Sequence, residues 1–254
     1  WVALGISLML LLAVLTFIGI LWLTEALHVT VTSLLVPVLA MFMGILPGEK
    51  ALSGFADPTI FLFFGGFALA GALHEQKIDA WLAGKILRMA RGSLGMALIL
   101  IFLATAFLSM WMSNTATAAM MLPLVIGLLD RIPAEKLKTT APFAILGVAY
   151  SASIGGMGTI IGSPPNGIFV RFVQQTYGVD VSIVQWMKVG MPVVLLLMPL
   201  SWLLLTKVLF REQIQKIAGG REWIRTELKN IGKPTRGEIS VLIVFICAVV
   251  LWCF

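Results

Sequence analysis

The strongest constraint in this sequence is a set of long runs that carry no charged residue: 2–23, 29–46, 59–73, 94–112, 189–206 and 239–254. A helix needs about 20 residues to cross a hydrocarbon core roughly 30 Å thick, and several of these runs reach or approach that length. Hydrophobic residues make up 59% of the 254 and charged residues 12%, against about 25% charged in soluble domains. Lipid is therefore the solvent for most of the chain, and the expected fold class is an all-α polytopic membrane protein.

The first run lacks the basic segment and the A-x-A-like cleavage site of a signal peptide. The chain opens on Trp1 inside one apolar run and stops at Phe254 inside another. The expectation is a piece of a longer protein. Cys247 and Cys253 both lie in the last run and have no metal-ligand or redox spacing, so they read as small buried or lipid-facing hydrophobes.

The net charge of +6 is explained by where the cations fall. Of 18 Lys and Arg, 15 lie at 77–91, 131–138 and 207–236, leaving Lys50, Arg171 and Lys188 for the opposite side. That bias is the positive-inside pattern of a membrane protein, and it requires no nucleic acid. The first three segments with their expected helices are 2–23, 29–46 and, after an outer loop at 47–57, 58–74. Segment 75–92 repeats Ile78, Trp81, Leu82, Ile86 and Met89 at helical spacing with charges largely opposite, as an amphipathic helix lying on the membrane does. His28 and His74 fall at run ends and read as interfacial. Phe61, Phe63, Phe64 and Phe67 read as core or lipid contacts.

Two polar interruptions break the remaining apolar sequence. In 93–130 an apolar arm meets Ser113-Asn114-Thr115, and a second arm of 14 residues follows. At 1.5 Å per residue that arm is roughly 21 Å long, too short to cross, and both ends of the segment are basic. The expectation is a re-entrant hairpin turning at 113–115, where irregular backbone is tolerated if protein or a water-filled cavity surrounds it. The second interruption, 155–166, holds four glycines and two prolines between helices expected at 142–154 and 167–174, so a continuous helix is excluded. A long helix at 186–207, a basic connector at 211–237 and a last helix from about 239 complete the chain.

Discontinuous helices in transporters bring unwound carbonyls and helix ends to mid-membrane, where they hold Na⁺ and anions. Ser109 and Ser113, four residues apart and therefore expected on one helix face, Asn114 and the carbonyls near Gly162 offer oxygens that suit a hard cation. Asn114, Thr115, Ser163 and Asn166 are the kind of residue that holds an anion by hydroxyls and N–H groups. No Asp or Glu lies in either interruption, which speaks against a carboxylate proton relay. No nucleophile–base pair or metal set points to an intramembrane enzyme, and the glycine cluster has Ile161 where a dinucleotide loop would need glycine.

The motifs at 55–69 (FADPTIFLFFGGFAL), 107–123 (FLSMWMSNTATAAMMLP) and 153–166 (SIGGMGTIIGSPPN) resemble the divalent anion/sodium symporter family, in particular its bacterial dicarboxylate members. The resemblance covers nearly the whole chain. It implies a multi-pass inner-membrane transporter, not an enzyme, that couples sodium entry to uptake of C4-dicarboxylates such as succinate by an elevator motion; a sulfate, citrate or other oxyanion carrier of the same fold is the alternative. It implies a homodimer whose protomers hold two inverted repeats, of which this chain has one, with a single re-entrant hairpin and a single broken transmembrane helix. Carried over by position, Ser109, Ser113, Asn114 and the Gly162 carbonyl would bind sodium, the coupling ion, with no organic cofactor. Asn114, Thr115, Ser163 and Pro164 would face the substrate carboxylate. The implied organisation is scaffold-type helices at 1–74, the amphipathic helix at 75–92, the hairpin at 93–130, the broken helix of the transport domain at 131–185, and the long helix, connector and next helix at 186–254.

Overall fold

The computed structural model describes residues 2–76, 78, 89–90, 93–130, 132–209 and 235–253. Most of the expected amphipathic helix and nearly all of the basic connector at 211–237 lie outside the described residues. The described residues form helices and turns, with no β-strand among them. The chain divides into two compact units, Trp1–Phe61 and Leu62–Phe254.

In the first unit, α1 (Val2–Thr24) packs on α2 (Val29–Phe42). The His28 imidazole caps α2 by accepting the Thr30 N–H at 3.3 Å. The α2 helix ends four residues earlier than its apolar run. Gly44 takes a left-handed φ of +68°, and the amides of Ile45 and Leu46 both turn back to the Ala40 carbonyl, which ends the helix as a left-handed cap does. The expected loop at 47–57 is partly helical, with α3 (Gly48–Ser53) and a 3₁₀ turn at Gly54–Ala56. Large apolar side chains cover the outside of α1 and α2, among them Met9, Leu15, Leu23 and Phe42. In water that surface would drive aggregation; in lipid it is the solvated face.

The α4 helix (Pro58–Glu75) begins on proline, as the sequence predicts. The second unit is built on α5 (Leu94–Ser109), α6 (Asn114–Leu129) and α7 (Ala134–Gly155), with α7 packed against both others. The buried stripe of α7 runs Thr140, Phe143, Ala144, Gly147, Val148, Ser151, Ala152 and Gly155, the three- and four-residue spacing of one helix face. Many of these residues are small, which lets helix backbones approach where lipid supplies no hydrophobic drive. Phe102 of α5 meets Phe143 edge to face at 5.8 Å.

The remaining helices are α8 (Pro164–Tyr177), α9 (Ile183–Leu203), which continues as a π-helical turn through Leu209, and α10 (Arg236–Cys253). Ser182 and Gln185 start α9 with a reciprocal capping box. The α7 helix starts eight residues before the expected 142, because Pro142 lies inside it instead of opening it. The α8 helix likewise starts at Pro164, since two successive prolines fit the first turn, whose N–H groups have no helical partner in any case.

Candidate functional site

The α5 and α6 helices form a hairpin whose arms are 16 residues each, about 24 Å apiece at 1.5 Å per residue. The turn between them is at 110–113, not at 113–115 as the polar residues suggest. Asn114 and Thr115 already belong to the first turn of α6, and the turn itself is Met110, Trp111 and Met112, all buried, followed by Ser113. Because α5 ends at Ser109, Ser109 and Ser113 do not share a helix face. The Ser113 hydroxyl instead caps α6 by accepting the Ala116 N–H at 3.2 Å.

The second break is an eight-residue segment, 156–163, between α7 and α8. It packs directly on the hairpin turn. The Thr159 hydroxyl donates to the Met110 carbonyl and accepts the Gly162 N–H at 3.1 Å. The Asn166 amide donates to the carbonyls of Gly156 and Thr159, both at 2.8 Å. The Trp186 indole of α9 donates to the Met157 carbonyl at 2.9 Å. Side-chain donors thus take the place of the helical bonds that the break removes.

Where the two breaks meet, four groups converge. The Ser109 hydroxyl, fully buried, stands 2.7 Å from the Asn114 amide and 2.7 Å from the Ala152 carbonyl. The Asn114 amide head also lies 3.1 Å from the Ala152 carbonyl and 3.2 Å from that of Gly162. A Cβ on Gly156 would overlap the Asn114 amide, and one on Gly162 would stand 2.6 Å from the Gly156 carbonyl oxygen. Only glycine lets this segment come so close.

Hydrogen bonding in this structure favours the Asn114 amide with nitrogen inward, where its two N–H groups face the oxygens of Ser109, Ala152 and Gly162. With oxygen inward it accepts from Ser109, and two carbonyl oxygens then face a third oxygen. The one proton of Ser109 cannot serve both Asn114 and Ala152. That second arrangement is a set of four neutral oxygens whose converging lone pairs a hard cation would bind. The helix ends add to it: the C-termini of α5 and α7, at Ser109 and Gly155, are the partial negative ends of their helix dipoles.

The structure therefore brings together Ser109, Asn114 and Gly162, three of the four residues expected at the sodium site, and adds the Ala152 carbonyl, which no sequence pattern marks. Thr115 and Pro164 are exposed, and Ser113 and Ser163 half-buried; the Ser113 hydroxyl accepts the Ala116 N–H and Ser163 makes no side-chain capping bond. Asn166 is buried and spends its amide N–H groups on the chain, so those groups are not offered to an anion. Thr159 was detectable as the one polar side chain in 155–162. On the α4 side, Ser113 opens onto a cavity of about 430 Å³ lined also by Phe67, His74, Met112 and Met120.

A helical hairpin and a broken helix meeting at a polar cluster, among helices long and apolar enough to cross a membrane, mark an integral membrane protein. The citrate transporter family profile (CitMHS) matches residues 19–254, and the chain belongs to that family. It is 58% identical over 189 residues to an uncharacterized transporter of Haemophilus influenzae, covering 74% of this chain and 40% of that protein. It is 34% identical over 249 residues to sodium-dependent dicarboxylate transporters SdcS of Staphylococcus saprophyticus and Staphylococcus aureus, covering 95% of this chain and 48% of each. The chain thus spans about half the length of the curated relatives it matches.

Proposed function

We propose that this chain forms one inverted repeat of a secondary transporter that couples sodium entry to uptake of C4-dicarboxylates such as succinate. The observation that carries the reading is the convergence of the Ser109 hydroxyl, the Asn114 amide and the Ala152 and Gly162 carbonyls at the meeting of two broken elements. Turning the amide oxygen inward makes it a four-oxygen cation site. The sodium dependence and dicarboxylate substrate named for the SdcS relatives support it. Ser109, Asn114 and the Gly162 carbonyl bind sodium in this reading. Ser113 adds a hydroxyl oxygen, which keeps a second lone pair while capping α6. Asn114, Thr115, Ser163 and Pro164 face the substrate carboxylate. The bound cation offsets the charge of the anion, so each stabilises the other at the site.

The hairpin is re-entrant in this reading, because neither 24 Å arm crosses a roughly 30 Å core alone. Hairpin and broken helix move together as the mobile body of an elevator, in a homodimer of the inner membrane. A second reading, a citrate carrier of the same fold, is favoured by the description of the matching family. The test is full-length protein in proteoliposomes under an inward sodium gradient, with labelled succinate, citrate and sulfate. Succinate should accumulate, and replacement of sodium by choline should abolish uptake. Citrate accumulating in place of succinate would select the second reading, and equal uptake in choline would overturn both.

A further inference from the structure

We infer that Thr159 is a positioning residue for the cation site, a role that rests on the sodium reading above. Its side chain is fully buried, and its one hydroxyl makes two bonds to segments far apart in sequence. It donates to the Met110 carbonyl in the hairpin turn and accepts the Gly162 N–H at 3.1 Å. A hydroxyl has one proton and two lone pairs, so a single group satisfies both partners. Each partner belongs to a segment that carries cation oxygens. The turn containing Met110 connects Ser109 to Asn114, and Gly162 presents its carbonyl to the Asn114 amide at 3.2 Å.

The Thr159 hydroxyl spends its bonds on the Met110 carbonyl and the Gly162 N–H, not on the four oxygens. It sets the register between the hairpin and the broken helix on which they ride. Asn166 holds the same residue from the other side by donating to the Thr159 carbonyl at 2.8 Å. Neutral oxygens bind a monovalent cation well only when their spacing is fixed in advance, so looseness of a few tenths of an ångström at this junction lowers affinity. Removing the hydroxyl also leaves the Met110 carbonyl and the Gly162 N–H buried without their partner, which drives the two segments apart or draws water between them.

Thr159→Val keeps the branched shape and deletes both bonds, while Thr159→Ser keeps the bonds and deletes a methyl group. The readout is sodium-induced thermal stabilisation of the purified full-length protein, against choline chloride at equal ionic strength, which needs no knowledge of the transported anion. Thr159→Val should raise the apparent sodium Kd, fitted from the stabilisation as a function of sodium concentration, by about tenfold, the effect of about one buried hydrogen bond. Thr159→Ser should stay within about twofold of the parent. Should the valine variant fail to accumulate in the membrane, Thr159→Cys, a weaker donor, carries the same test with a smaller shift expected. A parent-like sodium requirement in Thr159→Val, beside a raised one in Asn114→Ala, would overturn the positioning role alone. So would a serine variant as impaired as the valine one, since the methyl group would then be what matters. An unchanged requirement in Asn114→Ala would overturn the sodium reading and this role with it.

Discussion

Across the hairpin turn the Ser109 hydroxyl and the Asn114 amide stand 2.7 Å apart, although the helix that carries Ser109 has ended and the one that carries Asn114 has just begun. The contact exists because the four residues between them fold back under the broken segment of α7–α8. Everything proposed for the site depends on which end of the Asn114 amide faces Ser109, and substitution at Asn114 reads that directly.

Asn114→Ala in the full-length protein should insert and fold, and should lose nearly all sodium-driven succinate uptake. A charge-assisted oxygen contact contributes roughly 1.5–3 kcal/mol, a tenfold to hundredfold change in sodium requirement. Asn114→Asp separates the two amide orientations. It places oxygen against the Ala152 and Gly162 carbonyls, so it should be less stable than the parent without sodium and gain more from adding it. Met112→Leu, two residues away in the buried turn, should transport within about twofold of the parent, as volume-conserving core changes usually do. A sodium titration of uptake, with melting curves in sodium and choline, checks all three.

The charge distribution predicts sidedness. Lys50 lies on the exposed surface of α3 in a segment poor in cations, and Arg225 lies in the strongly basic stretch. Single cysteines at the two positions should react with a membrane-impermeant maleimide from opposite sides, position 225 from the cytoplasm. Labelling of both from one side would break the proposed topology.

Because the chain spans only about half of each SdcS relative, the 254 residues alone should not transport. Reconstituted by themselves, they should show no sodium-driven succinate uptake above protein-free vesicles. Robust uptake would mean that two copies complete one site between them, or that the repeat reading is wrong.

Much of the fold is legible in the sequence, because apolar runs in lipid have few alternatives to helix. The boundaries are less so, for identifiable reasons. The sequence marks Ser113-Asn114-Thr115 as the turn because they are polar. The chain instead turns through buried Met110, Trp111 and Met112 and uses Ser113 as a cap, with Asn114 and Thr115 inside α6. Pro142 looks like a helix start, yet the stretch with charged Glu135, Lys136 and Lys138 forms earlier turns of the same helix. At the site, Asn114 and Gly162 are readable as an amide and a glycine within two interruptions, and Ser109 as a hydroxyl in the apolar arm that leads to the first. The Ala152 carbonyl is not readable at all, since any residue has a carbonyl and only the fold aims this one.

The closest packing at the site gives the last prediction. In Gly156→Ala the new methyl group would overlap the Asn114 amide and stand 3.0 Å from the Gly162 carbonyl oxygen. The neighbours cannot yield without breaking the oxygen set, because Gly162 is itself pressed against the Gly156 carbonyl and the Ser109 backbone, at 2.6 and 2.8 Å from where its own Cβ would lie. Overpacking of this kind costs about 1–3 kcal/mol, and here the displaced group is the proposed cation ligand. The variant should therefore lose stability and, more severely, its stabilisation by sodium. Gly127→Ala is the matched control. It lies in the α6 helix of the same hairpin, and a Cβ there would meet nothing within 4 Å. In a helix interior alanine is favoured over glycine by roughly 0.5–1 kcal/mol, so this variant should be as stable as the parent or more so, with its sodium response intact. Melting temperatures of both variants across a sodium series decide it: equal behaviour of the two would mean that the close approach of Gly156 to Asn114 plays no part in cation binding.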